Sequence, residues 1–223
     1  MCSLGDEVAQ ALASRLGWEI ITRSSLVSHF SAADVTPYDL HMLAESAKYY
    51  LRPTKSGITY VDVLKNELNK HLENNSALLI GFGSQVIFAD RRDAVHVRII
   101  APKDIRIARA KKQHHVSQEQ AEQIMATADK KHKKFVSAVF ESDLSDPANY
   151  HLILNTADLC VDECVSSILA LMNERELQRK LELQSKDTPV SDNADRLQFK
   201  NESEAEFAKL LDMYQIEWKY EPK

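Results

Sequence analysis

At 223 residues the chain is long enough for one α/β domain with an appendage, and a hydrophobic share of 44% can fill a core. Its formal charge of −5 argues against a broad nucleic-acid surface, so any anion site must be a focused pocket and nucleic acid is not an expected partner of the main domain. No run approaches the apolar length of a membrane span, and no charged, apolar and cleavable sequence follows Met1; with an odd cysteine set, Cys2, Cys160 and Cys164, a cytoplasmic protein without disulfides or membrane partners is expected.

In chain order, residues 6–16 predict an amphipathic helix, with Val8, Ala11, Leu12 and Leu16 at helical spacing and Gly17 as its stop. Residues 18–22 predict a short strand. The stretch 24–75 carries mostly helical pattern, broken at Arg52-Pro53-Thr54-Lys55-Ser56-Gly57. Two apolar runs follow, 77–81 and 94–100, each ending in Gly, Pro or charge, which is the rhythm of buried parallel strands whose carboxyl ends carry a site. Between them, Gly81-Phe82-Gly83 makes a turn at which a backbone can pass close to a ligand. Helices are expected over 105–127 and 130–140, a last buried strand over 151–155, and a closing helix over 161–183. Residues 185–200 are polar and predict a linker; then 202–214 predicts a helix with Phe207, Leu210, Leu211 and Tyr214 on one face, and 216–222 alternates like a strand.

The loop Cys2-Ser3-Leu4-Gly5-Asp6 opens the first helix, so its amides and the helix dipole point to an anion site. Arg106 and Arg109 stand three apart and share a helix side directly after a strand end, suited to a bound phosphate. Cys160 and Cys164 read as core thiols because no histidine lies nearby to complete a metal set, His114 and His115 read as surface residues, and Asp90 as a turn cap. No protein metal site is assigned.

Three stretches in one collinear order resemble the cytidylate kinase-like proteins of the P-loop nucleoside monophosphate kinase group. They are Gly81-Phe82-Gly83-Ser84-Gln85 and onward into His96-Val97-Arg98-Ile99-Ile100-Ala101-Pro102; Asp104-Ile105-Arg106-Ile107-Ala108-Arg109 with the helix start at Ser117; and Asp129-Lys130-Lys131-His132 leading to Asp146-Pro147-Ala148-Asn149-Tyr150 and on to Thr156. The resemblance spans roughly residues 1–172. It implies an α/β fold: a three-layer P-loop kinase-like parallel sheet flanked by helices, with a helical monophosphate-binding and lid region. The domain is expected over 1–184, the linker over 185–200 and a short C-terminal helix-strand appendage over 201–223.

The implied activity is transfer of the ATP γ-phosphate to a nucleoside monophosphate, with CMP as the acceptor and Mg²⁺ bridging the phosphates. By this resemblance Ser3, Leu4, Gly5 and Asp6 hold the donor phosphates. Arg23, Gly81, Gly83, Asp129 and His132 bind the acceptor side, and Arg106, Arg109 and Lys130 stabilise charge in transit. Departures stand beside the matches. The loop has no Gly-Lys-Ser or Gly-Lys-Thr signature, and Phe82 and His132 occupy positions where family members commonly place Arg; Arg23, Arg91 and Arg92 remain as cations near predicted strand ends, with Lys130 and Lys134 as partial substitutes.

The family's loop normally follows a buried strand, so a strand upstream of Met1 is expected, without which the sheet has a slot in its middle. The last twenty or so residues resemble the first helix and strand of a restriction-nuclease-like domain, the start of a second domain cut short; docking on the kinase core or on a partner is the other reading. Two alternatives to the kinase follow: a catalytically degenerate nucleotide-binding or regulatory module, and an interaction scaffold for a C-terminal nuclease-like domain. The acceptor base and any homo-oligomer are left open by sequence.

Overall fold

Val8, Leu12 and Ala13 recur at helical spacing and all are buried, and the helix they define, α1, runs Gly5–Leu16. It ends at Gly17, which adopts the left-handed conformation (φ 66°) that lets its amide return to the Ala13 carbonyl. The structure, a computed structural model, describes residues 1–23, 25, 35–187, 202–213 and 218–219. They divide into two units, Met1–Met172 and Asn173–Lys223.

In the first unit, β1 (Glu19–Thr22) pairs in parallel with β2 (Ala77–Ile80), with Glu19 opposite Ala77 and Thr22 opposite Ile80. Likewise β3 (Val97–Ile100) pairs in parallel with β4 (Leu152–Asn155), Val97 opposite Leu152 and Ile100 opposite Asn155. The sequence predicts one parallel sheet; among the described residues the strands form two separate two-stranded sheets, β1 with β2 and β3 with β4. α1 lies against β1, β2 and β3, so both pairs share one helical layer. Leu78 of β2 and Val97 and Ile99 of β3 join the same core cluster as Val8 and Leu12 of α1.

A second, larger core lies under the helices between β1 and β2. α2 (Pro37–Glu45) and α3 (Tyr60–Leu72) each begin with a capping box, Thr36 with Asp39 and Thr59 with Asp62, in which a hydroxyl and a carboxylate satisfy the first free amides reciprocally. A 3₁₀ turn at Ala47–Leu51 brings Tyr49 and Tyr50 inward, and Leu43, Tyr50, Leu64 and Leu68 are completely buried. The expected break at 52–57 is a turn closed by the Pro53–Thr59 bridge, with Gly57 at φ 87°.

After the short α4 (Ser84–Ile87), the chain forms the hairpin α5 (Lys103–His114) and α6 (Gln118–Phe140). The division expected at residues 127–130 is displaced: the break is at His115, left-handed at φ 54°, and Ser117 then caps α6 with Gln120. The run Asp129-Lys130-Lys131-His132-Lys133-Lys134 stays helical because the buried positions Ala121, Met125, Phe135, Val136 and Val139 keep one register through it. α7 (Val161–Asp187) starts on the β3–β4 pair, where Cys164, Val165 and Ile168 are buried. Cys164 is the expected core thiol, whereas Cys160, before the helix begins, is exposed.

The second unit contains the later part of α7 and α8 (Glu202–Met213). α7 is longer than the predicted 161–183 and takes in residues 185–187, the first positions expected to be linker; residues 188–201 lie outside the described residues. So does most of the strand expected over 216–222, of which Trp218 and Lys219 take no regular structure. Leu177 and Leu181 on α7, and Phe207 and Leu210 on α8, are exposed. No described helix is long and apolar enough to cross a membrane.

Candidate functional site

The loop before α1 is built from left-handed residues: Cys2 and Leu4 both sit at φ 59°, and Leu4, the N-cap, supplies no side-chain bond to the first turn. Non-glycine residues hold this conformation at a cost of about 1–3 kcal/mol, so surrounding contacts must fix it. They come from the strand ends. Thr156, 1% exposed, donates its hydroxyl to the Ser3 carbonyl (3.0 Å), while its amide bonds the Ile100 carbonyl (2.8 Å) and so extends the β3–β4 pairing by one residue. The first turn of α1 also carries the carboxylates of Asp6 and Glu7.

Arg106 of α5 bonds the residue that leads into this loop, and Arg109 bonds Thr156, which holds Ser3. Arg109 donates from Nη1 to the Thr156 hydroxyl (2.9 Å) and from Nη2 to the Thr156 carbonyl (2.6 Å). Arg106 donates from Nε to the Met1 carbonyl (2.7 Å) and from Nη2 to both carboxylate oxygens of Asp129 on α6 (2.7 and 2.8 Å). The hairpin that carries them has its own small core of Ile107, Ala110, Ala121 and Met125, against which Cys2 of the loop also packs.

Arg23 follows β1, its guanidinium carbon 5.2 Å from the Tyr50 ring centroid and 5.0 Å from that of Phe135 on α6. Its Nε donates to the Tyr50 hydroxyl (3.1 Å) and its Nη2 to the Leu43 carbonyl. Burial raises the Tyr50 pKa, and the cation beside it opposes that rise. His132 lies one turn before Phe135. The residue is exposed, and partial loss of hydration lowers its pKa first and the Met1 ammonium second; Arg23 also lowers it, while Asp129 and Asp6 act in the opposite sense. These opposing influences mark one shared electrostatic neighbourhood for Asp6, Arg23, Asp129 and His132. Lys130 is exposed and makes no ion pair among the described residues.

The Gly81-Phe82-Gly83 turn has three consecutive left-handed residues, at φ 88°, 61° and 69°. Phe82 is 4% exposed and belongs to the larger core, so the position at which the resemblance implies a phosphate-binding Arg holds a packing residue. A Cβ on Gly83 would lie 2.5 Å from the Phe140 ring, whereas one on Gly81 would meet open space. Gly83 therefore makes room for α6, and Gly81 remains the glycine with free approach. Next to this turn, Gln85 is buried and its Nε2 has no hydrogen-bond partner among the described residues.

The structure thus brings Ser3, Leu4, Gly5, Asp6, Arg23, Arg106, Arg109, Asp129 and His132 to the loop and its surroundings. Gly81 and Gly83 lie on the neighbouring β2 end, and Lys130 is on the open face of α6. Thr156, Tyr50 and Phe135 went unassigned by sequence reasoning. The signal for Thr156 was its place at the end of an apolar run, where strand ends carry sites; Tyr50 and Phe135 look like any core aromatics. Among the described residues no three His, Cys, Asp or Glu side chains converge as a cation cage. Asp6 and Glu7 are exposed carboxylates beside the loop. A cavity of about 280 Å³ lies elsewhere, alongside β1, lined by Glu19, Ile21, Ser25, His71 and Asn75 among others.

A family model described as the cytidylate kinase-like family matches residues 1–158. Among solved structures, the chain is similar to the crystal structure of an uncharacterized protein from Eubacterium ventriosum ATCC 27560, with a TM-score of 0.61 at 18% identity over 77% of this chain and 92% of that one. This likeness bears on the fold. No curated protein matches the chain.

Proposed function

The chain belongs to the cytidylate kinase-like family, and on that premise we propose that it transfers the γ-phosphate of ATP to a nucleoside monophosphate, with CMP as the acceptor, on a three-layer P-loop kinase-like fold. The observation that carries this reading is the convergence of α5 on the N-terminal loop: Arg106 bonds the Met1 carbonyl, and Arg109 bonds the residue that holds Ser3. Phosphoryl transfer asks a protein mainly to position two phosphate groups and neutralise the charge that develops between them. Uncapped amides at the start of α1 and two guanidiniums on one helix supply both.

In this reading the amides of Ser3 to Asp6 receive the donor phosphates. Arg106 exchanges the Asp129 carboxylate for phosphate oxygens, and Arg109 stays oriented by Thr156. Lys130, free on α6, adds charge as the hairpin closes, and Arg23, Gly81 and His132 face the acceptor. Mg²⁺, held by Asp6 and the phosphates, would neutralise charge between donor and acceptor. The chemistry fits a cytoplasmic protein handling small nucleotides.

A second reading has its own observation. Phe82 is locked in the core and His132 is pushed toward the neutral form, so two positions that would carry guanidiniums in an active kinase carry none. This favours a nucleotide-binding module without turnover. Phosphoryl transfer from ATP and Mg²⁺ to a panel of nucleoside monophosphates, with calorimetric binding on the same sample, separates the readings. Turnover with CMP preferred, lost in Arg106→Ala, is the expected result. Binding without turnover would select the second reading, and neither binding nor turnover would reject both.

A further inference from the structure

We propose that Thr156 is a positioning residue whose hydroxyl ties the phosphate loop to the lid helix α5, so that Ser3 and Arg109 are set as one unit. The proposal rests on the kinase reading for its purpose and on geometry for its existence.

A threonine hydroxyl has one proton to donate and two lone pairs to accept with. Here the donor serves the Ser3 carbonyl at 3.0 Å, with the Ile100 carbonyl at 3.3 Å as the other acceptor in reach, and the Arg109 Nη1 fills an acceptor site at 2.9 Å. The side chain is 1% exposed, so water cannot replace these bonds. Valine would fill the same space and make neither bond, whereas serine would make both.

The contacts join parts of the chain far apart in sequence, with 153 residues separating Thr156 from Ser3 and 47 separating it from Arg109. They also account for a loop that lacks a local brace. Leu4 provides no side-chain cap, and Cys2 and Leu4 are both left-handed. Arg106 fixes the loop directly through the Met1 carbonyl; Arg109 fixes it through Thr156. Guanidinium geometry makes the second link directional, because Nη1 and Nη2 of one planar fork reach the hydroxyl and the carbonyl of the same residue. The remaining Arg109 donors are thereby oriented before any nucleotide arrives.

The test compares the full-length wild type with Thr156→Val and Thr156→Ser by amide hydrogen exchange, with and without ATP and Mg²⁺, and by KM for ATP against kcat. In Thr156→Val, the first hydrogen-bonded amides of α1, residues 8–12, and residues 106–113 are expected to exchange about tenfold faster together, and KM for ATP to rise about tenfold, the loss of roughly one buried hydrogen bond. Thr156→Ser is expected to restore both. Unchanged exchange in residues 8–12, or loosening confined to β4, would overturn the proposal. If the wild type binds no nucleotide, the kinase reading falls, and exchange in the free protein still decides whether Thr156 links loop to helix. Should Thr156→Val fail to fold, Arg109→Lys, which keeps the charge and loses the fork, is expected to loosen residues 8–12 likewise; if those residues stay protected, the link does not exist.

Discussion

Arg106 and Asp129 meet across the α5–α6 hairpin, one Nη2 lying 2.7 and 2.8 Å from the two carboxylate oxygens. On the kinase reading this carboxylate occupies the place that phosphate oxygens would take, and an arriving phosphate would displace it. The arginine side chain is 16% exposed and the aspartate 46%. With its acidic partner that open to water, the pair is worth no more than about 1 kcal/mol of stability. Arg106→Ala is therefore expected to lower Tm by only about 2–4 °C while reducing phosphoryl transfer about a hundredfold or more. Asp129→Asn removes the competing charge and keeps the shape. Calorimetry should show ATP binding tightened severalfold; weaker binding would mean that Asp129 holds Arg106 in its working position.

Gly83 and Gly81 flank the same core phenylalanine yet should respond very differently to alanine. At Gly83 the new Cβ would meet the Phe140 ring at 2.5 Å, in a left-handed backbone at φ 69°. Strain and overpacking together cost about 3 kcal/mol, or about 10 °C in Tm for a chain of this size. Gly81, at φ 88° with nothing within reach of a Cβ, carries the backbone strain alone, about 1–2 kcal/mol. Thermal melts of the two variants measure the difference directly, and equal losses would show that Phe140 moves aside. Phe82→Arg, which installs the guanidinium expected by resemblance, should unfold the larger core rather than create a phosphate ligand, since Phe82 is 4% exposed.

What the sequence made legible followed from periodicity and end signals. α1, the strands at 77–80 and 97–100 and the break before Thr59 were marked by apolar spacing, Gly17 and the Pro-Gly segment. The α5–α6 boundary was not: periodicity carries one helix across 105–127 and starts the next at 130, and only the burial of Phe135 and Val136 on the register of Ala121 and Met125 makes 118–140 a single helix. At the site, Arg106 and Arg109 were visible as a helical pair, but their partners were not. Asp129 is 23 residues from Arg106, and Thr156 is 47 from Arg109; such pairings exist only after the chain has folded. Phe82 looked like a lost ligand because its burial depends on α6 packing over the turn.

Asp39 gives the fold a sensitivity to acid. The residue is 9% exposed and accepts hydrogen bonds from the Thr36 amide (2.8 Å), the Thr36 hydroxyl (2.6 Å) and the Tyr49 hydroxyl (2.7 Å). Thr36 first and Tyr49 second hold its carboxyl far below the usual carboxylate range. A depressed folded-state pKa means that the unfolded chain takes up the proton first. The stabilisation is present above the unfolded value near about 4 and is lost as pH falls below it. Asp39→Asn should lower Tm at neutral pH, and its Tm curve should converge on that of the wild type below about pH 4. Parallel curves down to about pH 2 would show that Asp39 contributes no acid sensitivity.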